Sequence, residues 1–119
     1  MNKRANGAQG EMAAKAYLED KGAKILEMNW RRLTGEIDII ARQGKTLLFV
    51  EVKRRATLRY GRPAEAVDRA KQAHILRTAM LYVQERELSD APMRFDVIEI
   101  LPDEIRHIEG AFDATGFFN

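Results

Sequence analysis

The chain has no cysteine, only three prolines, two histidines and a single tryptophan in 119 residues. Without cysteine there is neither a disulfide framework nor a thiolate metal centre, which is compatible with a reducing cytosol, the expected location. The two histidines, His74 and His107, have no ligand spacing between them and are expected to be ordinary surface or core residues. The longest apolar run, Ala79 to Val83, is too short to span a membrane, and the N-terminus shows no apolar signal segment. No repeat, low-complexity tract or long linker divides the sequence, so one domain over 1–119 is expected. Neither sign of charge dominates: the net charge of +2 and a pI near 9.0 permit a polyanionic partner without demanding one.

Hydrophobic residues at 45% and charged residues at 32% describe an ordinary globular chain. At this length it can bury roughly two thirds of its unfolded surface without staples.

The most informative stretch runs from Gly35 to Arg55, GEIDIIARQGKTLLFVEVKRR. Two arms rich in β-branched residues, Glu36 to Arg42 and Thr46 to Arg54, flank Gln43-Gly44, which predicts a β-hairpin. Alternation puts Glu36, Asp38 and Ile40 on one face of the first arm, and Leu47, Phe49, Glu51 and Lys53 in one row on the second. Two registers are open. In one, Arg42 pairs with Lys45 and Glu36 faces Glu51; in the other, Arg42 pairs with Leu47 and Asp38 faces Glu51. Either gathers three carboxylates and one ammonium at one end of the hairpin, where like charges call for a counter-charge. The opposite faces carry Ile37, Ile39, Leu48, Val50 and Val52, so the hairpin is expected inside a sheet covered on both sides. Oxygen donors at a sheet end suit a hard divalent cation such as Mg²⁺, and Lys53 stands where it can touch a reacting phosphate or its attacking water.

Asp38 followed after twelve residues by Glu51-Val52-Lys53 is similar to the acidic signature of the restriction-endonuclease-like nuclease superfamily. With Gly10-Glu11, Asn29-Trp30-Arg31 and Arg94-Phe95-Asp96 added, the set resembles the small bacterial YraN family, whose core is similar to that of archaeal Holliday-junction resolvases. Ile37 stands where the superfamily's name has proline before the aspartate. The resemblance implies a metal-dependent endonuclease acting on DNA, branched or junction DNA included. It implies Mg²⁺ or Mn²⁺ held by Asp38, Glu51 and the Val52 carbonyl, with Lys53 orienting water and Glu36 and Glu11 assisting. The rival reading is a non-catalytic nucleic-acid-binding module that keeps the fold.

The remaining sequence fits an α/β architecture: a restriction-endonuclease-like core whose mixed sheet joins an antiparallel three-stranded meander to a parallel fourth strand, with helices on both faces. Gly7 to Asp20 is a predicted helix ended by Lys21-Gly22, and Glu11, Ala14 and Leu18 share an inward stripe. Ala23 to Arg32 is the first strand, with Trp30 expected in the core. Between Lys53 and Lys71 seven basic residues stand against two acidic ones, and Arg54, Arg55, Arg59, Arg62 and Lys71 are the expected phosphate contacts. Asp68 predicts the N-cap of a helix reaching Glu87, with Leu76, Ala79, Met80 and Val83 on one face. Arg94 to Leu101 and Ile105 to Glu109 complete the strands. Phe112, Phe117 and Phe118 are left to the molecule's own edge or to a second copy in a homodimer.

Overall fold

The elements run α1 (Lys3–Asp20), β1 (Lys24–Arg32), β2 (Gly35–Gln43), β3 (Thr46–Arg54), α2 (Arg69–Glu85), β4 (Met93–Ile100) and β5 (Ile105–Phe112) in the computed structural model, which describes residues 3–55 and 67–117. The strands lie side by side in sequence order. β1, β2 and β3 form an antiparallel meander, β4 pairs parallel to β3, and β5 pairs antiparallel to β4. A chain leaving β3 must cross over to run parallel in β4, and α2 lies in that connection. This is the expected restriction-endonuclease-like arrangement. The edge strand is longer than its sequence suggested, reaching Phe112 rather than Glu109.

Three of the helix ends follow from local chemistry. After α1, Gly22 adopts φ 91°, and the amides of Gly22 and Ala23 return to the carbonyls of Glu19 and Leu18, the two bonds of a Schellman stop. Asp68 caps α2 by accepting from the Lys71 amide at 2.8 Å. The far end of α2 stops the same way as α1, with Glu87 at φ 57° where glycine is the usual residue.

Each helix covers one face of the sheet. On the α2 side, Ile75, Leu76, Ala79, Tyr82 and Val83 pack on Trp30, Ile40, Leu47, Phe49, Phe95 and Val97. Tyr82 sits edge-on to both Trp30 and Phe49, so the lone tryptophan is a core residue, as its place in β1 suggested. Ala14 and Leu18 of α1 close over Ile39, Ala41, Leu48, Val50 and Ile98 on the other side. The expected α2 face needs one correction: Met80 is 39% exposed, and Thr78 is buried in its stead. Thr78 is there because its hydroxyl meets the Thr34 hydroxyl at 2.7 Å and donates to the His74 carbonyl, fastening the β1–β2 turn to α2. Gly35 completes that close approach. Its φ of 146° strains any side chain, and a Cβ would stand only 3.3 Å from His74 and Thr78, so glycine is favoured here.

The tail aromatics pack on their own molecule. Phe112 stacks on Phe95, and Arg69 lies over the Phe117 ring. Phe118 lies outside the described residues. Among the described residues, no helix is long and apolar enough to cross a membrane.

The hairpin takes the second of the two open registers. Arg42 pairs with Leu47 and Gln43 with Thr46, so the turn residues are Gly44 and Lys45 rather than Gln43 and Gly44. Gly44 supplies the positive φ, 60°, that a two-residue hairpin loop requires. From Arg42–Leu47 the pairing continues to Ile39–Val50 and stops there, with Asp38 next on one strand and Glu51 on the other.

Candidate active site

The hairpin opens at this point because β1 and β2 turn over together. Paired Met28 and Ile39 belong to the α1-side core, whereas paired Trp30 and Ile37, two residues on, belong to the α2-side core. Regular alternation would have kept Ile37 and Ile39 on one face, and that expectation is corrected. Asn29, with φ 54°, makes the reversal on β1, since asparagine tolerates the left-handed region better than most residues. Across from it Asp38 makes the reversal on β2. Its carboxylate accepts the Val52 amide at 2.8 Å, taking a β3 donor beyond the end of the backbone ladder. In a strand the carbonyl of a residue points to the same side as its amide, so the Val52 oxygen also faces this gap.

Glu51 follows the α2-side row of Leu47 and Phe49 and is 7% exposed. Burial pushes its carboxyl up to about 8, and a hydrogen bond and charge repulsion from Asp38 push the same way, against partial relief from Lys71 and Lys53. The Lys71 ammonium stands 3.6 Å from Glu51 Oε2. This supplies the counter-charge that a lysine in the first turn of a helix calls for.

Glu11 reaches the same place from α1, where Ala14 and Leu18 on its stripe are fully buried. Asn29 Nδ2 donates to Glu11 Oε1 at 2.7 Å. Burial first, then the charges of Asp38 and Glu36, raise the Glu11 carboxyl to about 7. Glu36 is tied to Arg31 at 2.9 Å. The structure therefore brings Asp38, Glu51, Lys53, Glu11 and Glu36 to one end of the hairpin, with Asp38 acting electrostatically on both raised glutamates.

The basic residues from the end of β3 onward diverge. Arg54 turns to the α1 side, where it donates to Gln9 Oε1 at 3.2 Å. Arg55 pairs with Glu99 of β4, and Lys71 faces Glu51. Arg59 and Arg62 lie outside the described residues. Two participants had no role in the sequence reading. Asn29 was part of a motif, and its residue type was the available signal. Glu99 occupies a position where the alternation Phe95, Val97 predicts an apolar side chain, and an acid out of pattern was the clue.

Among the described residues, no three His, Cys, Asp or Glu side chains form a metal cage by themselves. The donor set is smaller: two neighbouring carboxylates at the end of the ladder and a backbone carbonyl. It fits a hard cation that keeps much of its water, since Mg²⁺ is commonly held by only one or two protein carboxylates. Glu51, buried and with its carboxyl raised by burial and by the neighbouring Asp38, is short of positive charge, which is the deficit a divalent ion fills.

A mixed sheet in this order, with an acidic cluster at the split between β2 and β3 and a lysine two residues beyond Glu51, defines a restriction-endonuclease-like α/β protein. Comparison with known proteins gives the family. The chain belongs to the uncharacterised protein family UPF0102, whose model matches residues 10–100. It is 46% identical to a UPF0102 protein of Clostridioides difficile over 94% of this chain and all of that one. A UPF0102 protein of Lachnoclostridium phytofermentans is 45% identical over 98% of this chain and 99% of its own. One from Syntrophotalea carbinolica is 46% identical over 93% and 94% respectively.

Proposed function

We propose that this chain is a metal-dependent endonuclease that hydrolyses phosphodiester bonds of DNA, branched or junction DNA included. The observation that carries the reading is that Asp38 and Glu51 stand next to one another where the hairpin ladder ends, Asp38 held by the Val52 amide and Glu51 facing Lys71. Asp38, Glu51 and the Val52 carbonyl would hold Mg²⁺ or Mn²⁺. When bound, the ion supplies Lewis acidity toward a phosphodiester oxygen.

The chain's own groups do the remaining work. Asp38 is fixed by the Val52 amide, so its second oxygen is pre-oriented. Lys53, on the row of Glu51, offers an ammonium to a non-bridging phosphate oxygen and stabilises charge as it develops there. Glu11, with its carboxyl raised to about 7, can exchange a proton with water near neutral pH. Glu36, held by Arg31, is one of the charges that act on Glu11.

Purified protein and a Lys53→Ala variant, incubated with duplex, single-stranded and four-way-junction DNA in Mg²⁺, Mn²⁺ or chelator, test the proposal. The native chain is expected to cleave only with metal. The variant should lose about 100-fold or more of the rate, the scale of removing one preorganised group that stabilises transition-state charge. Cleavage retained by Lys53→Ala, or seen in chelator, rejects the assignment. DNA binding without turnover, indifferent to Mg²⁺ and to Asp38→Ala, is the signature of the rival binding module.

A further inference from the structure

Glu99 is a buried acid that the catalytic reading leaves unused. It follows Phe95 and Val97 on the α2 side of β4 and is 4% exposed. Its Oε2 takes a bond from Arg55 Nε at 3.3 Å, while Oε1 is buried without a hydrogen-bond partner among the described residues. An orphaned carboxylate oxygen is costly, and sequences keep one where a group must be held in place or met by another.

Arg55 is well placed to be that group. Its backbone amide donates to the Ile100 carbonyl at 2.9 Å, which extends the β3–β4 ladder one step past Arg54 and fixes the base of the side chain. With Nε on Glu99, the two terminal nitrogens of the guanidinium have no other partner among the described residues, and the side chain is 28% exposed. A guanidinium held at Nε by a carboxylate keeps two terminal nitrogens that can grip a phosphate through two parallel bonds. Arg55 also shares the strand face of Glu51 and Lys53. It stands four positions along from Glu51, about 13 Å at the rise of a strand, too far to contact the same phosphate.

Resting on the endonuclease reading, we propose that Glu99 is a positioning residue for Arg55, and that Arg55 anchors a DNA backbone phosphate beside the one attacked. The pair then governs how tightly DNA is held and leaves the chemical step alone.

The test is the affinity of the full chain for fluorescein-labelled duplex and four-way-junction DNA, measured by anisotropy in EDTA so that nothing is cut. Arg55→Ala is expected to weaken binding about ten-fold and to lower the slope of log affinity against log salt by about one. Glu99→Gln keeps the shape and removes the charge, and it is expected to weaken binding about three-fold. If charge alone mattered, removing an acid would tighten binding to a polyanion, so the sign discriminates. In the Arg55→Ala background, Glu99→Gln should cause no further loss, whereas a general loosening of the fold would weaken both backgrounds alike. Thermal melts confirm that each variant is folded. Binding by Glu99→Gln equal to or tighter than native, or losses that add in the double variant, overturns the proposal while leaving the endonuclease reading standing. Failure of the native chain to bind either DNA also overturns the proposal, and the endonuclease reading is then decided by the cleavage assay in metal.

Discussion

Asp96 and Glu51 lie on neighbouring strands, one position apart in the β3–β4 register, and both are nearly sealed from solvent. The fold treats them in opposite ways. Asp96 receives Arg94 through three contacts of 2.9 to 3.2 Å, the His107 Nε2–H at 2.7 Å and the Gly110 amide at 3.0 Å. Burial pushes its carboxyl up, but the bonds from His107, Arg94 and Gly110 outweigh it, and the group ends below the usual carboxylate range. The network continues outward, with Lys21 donating to the Tyr17 hydroxyl and that hydroxyl meeting His107 Nδ1. Glu51 has another acid as its neighbour and a single lysine at 3.6 Å, and its carboxyl goes up to about 8. A fully satisfied buried acid ties β4, β5 and α1 together, whereas the under-satisfied one is left short of positive charge. The difference is in the partners, since burial is nearly equal.

The largest test of this contrast removes the satisfied acid. Asp96→Ala strands Arg94 and His107 beside a cavity and is expected to cost about 3–5 kcal/mol of stability by denaturant unfolding, the scale of breaking a buried ion pair. A loss within 1 kcal/mol, about the worth of an ordinary surface pair, would mean that the network is not structural.

A second test uses pH. Because the folded carboxyl of Glu51 lies near 8 and its ordinary value is 4.5, its contribution to stability is fully present below 4.5 and is lost as pH rises through 8. Asp96 has the reverse sign: its folded value lies below 3.8, so its contribution is present above that and lost as pH falls through the folded value. In chelator, the melting temperature should therefore fall by several degrees from about pH 5 to about pH 9. Glu51→Gln should remove most of that fall, leaving a smaller remainder from Glu11. A profile equally steep in the variant breaks the comparison.

The smallest expected effect is that of Tyr17→Phe, which deletes the outer hydroxyl of the network while Asp96 keeps every bond. The loss should be about 1 kcal/mol, the net worth of a typical hydrogen bond. A loss as large as that of Asp96→Ala would place the keystone of the network at Tyr17.

Local features of the fold could be read directly. The stops at Gly22 and the cap at Asp68 depend on residues within a turn of each other, and the hairpin arms on a period of two. The site was legible as far as the acids and Lys53 share one end of that hairpin. The reversal at Asn29 and Asp38 was not, because strict alternation forbids it and only the paired strand reveals it. Nor was the meeting of Lys71 with Glu51, or of Arg55 with Glu99, residues 20 and 44 positions apart in the chain.

By itself the sequence determined the order of elements, the two apolar faces of the hairpin and the kind of chemistry its acids could support, because each is written in neighbours along the chain. Tertiary structure decided which carboxylates are short of charge and which are satisfied. That depends on counter-charges delivered by other strands and helices, and on the water their packing removes.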